Sequence, residues 1–126
     1  RHHIPFIPKL IYFFQYILFN SSVPASCKIG KGTKFGYGGI GVVIHARAEI
    51  GDNCLIGQNT TIGGRSGHYE VPKIGNNVEI CAGARVLGPI TIGNNAIIGA
   101  NAVVIKNVPD NAVVAGVPAH ILKYTK

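Results

Sequence analysis

From Ile29 to Val108 an aliphatic or aromatic residue returns every six positions: Ile29, Phe35, Ile44, Ile50, Ile56, Ile62, Ile74, Ile80, Val86, Ile92, Ile98 and Val104. The following position is usually Gly. The fifth of each unit is mostly small, as at Thr33, Ala48, Cys54, Thr60, Ala84, Ala96 and Ala102. A period of six suits neither an amphipathic helix nor an alternating strand. It predicts a parallel β-helix, in which short strands joined by tight turns wind a prism and each coil stacks its aliphatic residues on the last. Three units make one coil, so residues eighteen apart should stack.

Two stretches break the register. Nine residues separate Phe35 from Ile44, an insertion of three. Twelve separate Ile62 from Ile74, but the segment from Gly63 to Lys73 loses the pattern and sets His68 where a buried aliphatic would fall. A polar imidazole among glycines is a poor coil builder, so residues 63–73 are expected to leave the solenoid as a loop. Interruptions of a rigid scaffold are where function concentrates. The register is expected to end after Pro109. This divides the chain into 1–26 (an apolar helix and connector), 27–113 (the β-helix) and 114–126 (a closing tail).

The apolar run Leu10 to Phe19 predicts a helix, with Pro5 and Pro8 expected to keep helix out of the residues before it. Ten residues are too few to span a bilayer. The run has two readings: a helix packed on the first coil, or a peripheral contact at the inner membrane face aided by Lys9, Lys28 and Lys31.

Composition alters this picture little. Apolar residues at 47% and charged residues at 13% suit a solenoid whose positions mostly face the core or a neighbouring subunit. The 17 glycines are read as turn residues with positive φ. The net charge of +7 comes from bases scattered along the chain rather than clustered with aromatics, which argues against nucleic acid and for a small polyanion or an anionic surface. Three cysteines without a CxxC point to a reducing cytoplasm and to no metal site, with Cys54 on an inward position.

His45 should lie beneath Gly63, where the loop departs, so His45 and the base of the His68 loop share one edge of the prism. Each histidine has a plain reading, as a surface turn residue and a polar loop residue. Together they are candidates for a catalytic base, a role suited to an imidazole because its ordinary pKa lies near neutral pH.

The repeat, the segment Thr61-Ile62-Gly63-Gly64-Arg65-Ser66-Gly67 and the ending Ala115-Gly116-Val117-Pro118-Ala119 together resemble the hexapeptide-repeat, left-handed β-helix acyltransferases. The closest resemblance is to serine acetyltransferases and sugar O-acetyltransferases. It covers roughly two-thirds of the chain. It implies a mainly β fold, a homotrimer with sites between subunits, and acetyl-CoA as donor. His68 would be the base, and His45 would orient it or bind the acceptor. Backbone groups at Gly64, Ala82 and Ala100 would line one coenzyme groove, with Lys106, Lys123 and Lys126 candidates for its phosphates. A backbone N–H near Gly63 and Gly64 would hold the oxyanion, and Glu70 could polarise an imidazole.

The chain departs from the serine acetyltransferase pattern. Val71, not histidine, precedes Pro72-Lys73-Ile74; Phe35 to Gly39 contains no Asp-His pair; and residues 1–26 stand where those enzymes carry a large helical domain. These departures shift the expected acceptor from serine towards another hydroxyl, of a small molecule or saccharide. Serine itself, an amine on a nucleotide sugar, and a non-catalytic assembly module stay open. A γ-type carbonic anhydrase would need three convergent histidines, and only His45 and His68 lie within the solenoid.

Overall fold

The computed structural model describes residues 6–125. A single helix, α1 (Phe6–Phe19), precedes four coils of short strands. The first coil is β1 (Lys28–Ile29), β2 (Lys34–Phe35) and β3 (Val43–Ile44); the second is β4 (Glu49–Ile50), β5 (Leu55–Ile56) and β6 (Thr61–Gly63). The third is β7 (Lys73–Ile74), β8 (Glu79–Ile80) and β9 (Arg85–Leu87), and the fourth β10 (Thr91–Ile92), β11 (Ile97–Ile98) and β12 (Val103–Val104). Strands β13 (Ala112–Ala115) and β14 (His120–Tyr124) follow.

Like strands of successive coils pair in parallel, so the prism has three walls: β1-β4-β7-β10, β2-β5-β8-β11 and β3-β6-β9-β12. The periodic aliphatic residues point inward and are almost fully buried, from Ile44, Ile56 and Ile80 to Ile98 and Val104. The small fifth-position residues fill the corners, with Ala48, Cys54, Thr60, Ala84, Ala96 and Ala102 buried beside them. Each buried aliphatic contributes about 1.5–3 kcal/mol.

Stacking follows the eighteen-residue rule only where nothing interrupts it. Ile44 pairs with Ile62 and Ile80 with Ile98. Across the three-residue insertion Phe35 instead pairs with Ile56, twenty-one residues on, and across the 63–73 loop Ile62 pairs with Val86, twenty-four on.

Three expectations need correcting. Helix α1 runs through Pro8, because a proline in the first turn forfeits no helical hydrogen bond. The wall continues past Pro109: β13 pairs with β11, Val114 beside Ile98, and β14 adds an antiparallel strand.

The third concerns the glycines. Those following each inward aliphatic are not generally positive-φ residues; they permit close stacking. A Cβ on Gly57 would lie 2.6 Å from the Ala82 nitrogen of the coil above. Positive φ falls two positions later, largely at asparagines: Asn53, Asn59, Asn77, Asn95, Asn101 and Asn111 have φ of 56–63°. Asparagine tolerates the left-handed region better than most residues. Along the β1-to-β2 edge, side-chain oxygens of Asp52, Asn76, Asn94 and Asp110 each accept an N–H from the preceding coil at 2.8–2.9 Å.

Candidate active site

The edge between the β3 and β1 walls carries His45 in the first coil, the loop in the second, Gly88 in the third and Lys106 in the fourth. The N–H of His45 donates to the Ile62 carbonyl at 2.8 Å, which seats the histidine beneath the loop's root. A Cβ on Gly64 would lie 3.8 Å from His45 Cδ2 and 3.6 Å from Val71 Cγ1. The half-buried imidazole and the glycine pair therefore meet on one edge, as the register arithmetic expects.

The His45 ring is held in one sense. Its Nδ1 accepts the Arg47 N–H at 3.1 Å, so in neutral imidazole the proton sits on Nε2. That makes His45 a hydrogen-bond donor at its free nitrogen and a poor proton acceptor there.

Within the loop, the His68 N–H donates to the Arg65 carbonyl at 3.1 Å and Gly67 has φ +84°. This is the signature of a type II turn, which needs a residue of Gly's freedom at its third position. The turn lifts His68 away from the core, and its exposed imidazole forms no hydrogen bond to His45, Glu70 or any other described residue. Among the described residues the Gly64 N–H also has no intramolecular acceptor.

Arg47 and Tyr69 hold the loop, and sequence reasoning missed both. The Arg47 guanidinium lies 4.0 Å from the centroid of the Tyr69 ring, and its Nη2 donates to the Tyr69 carbonyl. Beside this pair opens a cleft of about 450 Å³ whose charged lining includes Lys28, Lys73, Glu49 and Glu70. The available signal was positional: Arg47 follows His45 by two residues, and Tyr69 adjoins His68. At the loop's other end, Gly88 at φ +91° makes room for the Arg65 stem, which a Cβ would meet at 2.6 Å.

The expected coenzyme positions do not form one groove within the chain. Ala82 and Ala100 do stack, with the Asn101 N–H donating to the Ala82 carbonyl at 2.9 Å. They line a cleft of about 420 Å³ with Arg85, whose guanidinium collects the carbonyls of Asn59 and Gly83. That cleft lies on the edge between the β2 and β3 walls. Gly64 lies on the β3-to-β1 edge, because the loop adds six residues and puts Gln58, not Gly64, beneath Ala82: the Gly83 N–H donates to the Gln58 carbonyl at 2.9 Å. Lys106 is exposed on the Gly64 edge and lines a cleft of about 360 Å³ with Ala119 and His120. Lys123 is exposed on β14 opposite Val113. Lys126 lies outside the described residues.

Cys81, next to Ala82, has its thiol pushed above the usual range by burial and then by the Glu79 carboxylate. Burial likewise raises Cys27, whose thiol donates to the His45 carbonyl at 3.4 Å.

These coils and this interrupted edge define a class: the chain belongs to the hexapeptide-repeat superfamily of left-handed parallel β-helices. The family described as "Bacterial transferase hexapeptide (six repeats)" matches residues 72–106. Within the class its likeness is to serine acetyltransferases. That of Synechococcus elongatus is 38% identical over 125 residues, 97% of this chain and 50% of that protein. The serine acetyltransferase of Brucella abortus strain S19 in complex with coenzyme A superposes at a TM-score of 0.86 with 34% identity, covering 94% of this chain and 49% of that one. Soybean serine acetyltransferase complexed with serine gives 0.82 and 37%, covering 89% and 46%. The chain spans about half the length of the curated relatives it matches. The relatives are named serine acetyltransferases, which favours the serine alternative over the other hydroxyl acceptors that the sequence left open.

Proposed function

We propose that the protein is an acetyl-CoA-dependent O-acetyltransferase and that its acceptor is the hydroxyl of serine. The observation that carries this reading is the likeness to a serine acetyltransferase across nearly the whole chain. The neighbours with bound coenzyme A and bound serine support donor and acceptor respectively.

His68 takes the proton from the acceptor hydroxyl, and the oxygen attacks the thioester carbonyl carbon. The Gly64 N–H, left without an internal acceptor, is positioned to donate to the oxyanion, a preorganised contact that strengthens as charge develops. Collapse of the tetrahedral intermediate breaks the C–S bond, and the proton held by His68 goes to the departing sulfur. His45 donates from Nε2 to the acceptor.

One coenzyme touching Gly64 as well as Ala82 and Ala100 must lie between protomers, because one prism presents these residues on different edges. A threefold ring satisfies this, each Gly64 edge facing a neighbour's Ala82–Ala100 edge. Light scattering at three times the 13.3 kDa chain mass is the expected result; a monomer would remove the shared groove.

An acceptor panel tests the substrate. Thiol release from acetyl-CoA should be fastest with L-serine. Faster release with a saccharide hydroxyl or a nucleotide amino sugar would move the acceptor while leaving the donor reading intact.

A further inference from the structure

Ten large apolar side chains of the fourteen-residue helix α1 are exposed. One stripe of α1 faces the solenoid: Pro8 and Tyr12 line a cleft with Pro24 and Ala25, and Gln15 and Phe19 line another with Val23 and Phe35. The Tyr12 and Ser22 hydroxyls meet at 2.7 Å, and the Gly41 N–H donates to the Phe19 carbonyl at 3.0 Å. The rest of the circumference carries Leu10, Ile11, Phe13, Phe14, Ile17 and Leu18, each 47–67% exposed. Beside the same end, the 36–42 insertion exposes Tyr37 (77%) and Ile40 (46%).

Charge is arranged to match. Residues 1–48 contain six Lys and Arg and no Asp or Glu, whereas residues 49–126 hold the other six bases and all five acids. Lys9, Lys28, Lys31 and Lys34 are exposed on α1 and the first coil, with no carboxylate on either. Five of the chain's twelve bases, Lys9, Lys28, Lys31, Lys34 and Arg47, thus sit on the apolar helix and the coil to which it is tied.

We propose that this end docks on the surface of a bilayer bearing anionic lipid, with α1 lying in the headgroup layer and the first-coil lysines against the phosphates. At about 1.5 Å per residue, α1 is about 21 Å long against a hydrocarbon core of about 30 Å, so it lies on the membrane rather than across it. No helix of the described residues is long and apolar enough to cross one. A single partner helix would cover one stripe of α1, whereas the soft interfacial layer covers the broad arc left open here. Lys9, Lys31 and Lys34, with Lys28 beside Glu49 of the second coil, add the attraction that anionic headgroups supply. The proposal is independent of the acceptor: it concerns where the protein sits, not what it acetylates.

Vesicle flotation of the whole protein tests it. With vesicles of phosphatidylcholine and phosphatidylglycerol at about 3:1, most of the protein should float; with phosphatidylcholine alone, binding should fall by about tenfold or more. Lys28→Glu with Lys31→Glu should remove the anionic preference, and Ile17→Asp with Leu18→Asp should abolish flotation, both leaving the circular dichroism spectrum and oligomeric mass unchanged. Failure to float, or equal partition into both vesicle types, would overturn the proposal. So would a drop in oligomeric mass in the Ile17/Leu18 variant, since the face would then be covered by protein.

Discussion

Arg47 clasps Tyr69 twice, by its guanidinium over the ring at 4.0 Å and by a hydrogen bond to the carbonyl. The two residues are twenty-two apart and belong to adjacent coils. The contact ties the loop that presents His68 to the turn that holds His45. An exposed cation–π pair contributes about 0.5–1 kcal/mol, enough to bias a short loop but not to hold the fold. Arg47→Ala should therefore leave the melting temperature nearly unchanged while amide exchange across Arg65 to Glu70 accelerates and turnover falls. Arg47→Lys, which retains charge but loses the planar fork, should fall between.

The two histidines should fail differently. His68→Ala is expected to lower kcat by about 10²–10⁴, the usual worth of a positioned base. His45 acts as a donor through Nε2 because Nδ1 is occupied by the Arg47 N–H. His45→Gln, which can reach with an amide N–H, should keep more activity than His45→Asn, whose short side chain can replace only the Nδ1 acceptor. Equal loss in both variants would argue against the donor role.

Two glycines separate packing from chemistry. Gly57→Ala drives a methyl against the Ala82 backbone at 2.6 Å, where nothing flexible can yield, and should cost about 1–3 kcal/mol or more. Gly64→Ala meets only ordinary contacts at 3.6 and 3.8 Å, so the fold should survive. Its methyl would occupy the edge beside His45 where the thioester is proposed to lie, so activity should drop without a matching drop in melting temperature.

Much of the fold could be read from the chain because the isoleucine period is enforced by geometry: every inward position from Ile44 to Val104 must fill the same triangular interior. The loop was legible for the complementary reason, since His68 could not occupy that interior. The groove was not. Counting eighteen from Gly64 reaches Ala82 on paper, but the six added loop residues move Gly64 to another edge, and only strand pairing such as Ile62 with Val86 reveals it. The clasp of Arg47 on Tyr69 depends on the loop's path, which no repeat encodes.

Cys81 offers a pH test of the coenzyme edge. Burial and the Glu79 carboxylate both disfavour its thiolate, so alkylation of Cys81 should be slower at pH 8 than that of an unhindered thiol and rise only at higher pH. Glu79→Gln removes one of the two causes and should shift that rise to lower pH. Because thiolate is the reacting form, an unchanged profile would mean that access, not charge, limits the reaction.

The most direct measurement follows both products at once: incubation with acetyl-CoA and L-serine, with free thiol and acetylated acceptor quantified together. Equal amounts of both from the native chain, and both formed about 10²–10⁴-fold more slowly by His68→Ala, are predicted. No thiol release with serine or any other hydroxyl acceptor would contradict the assignment.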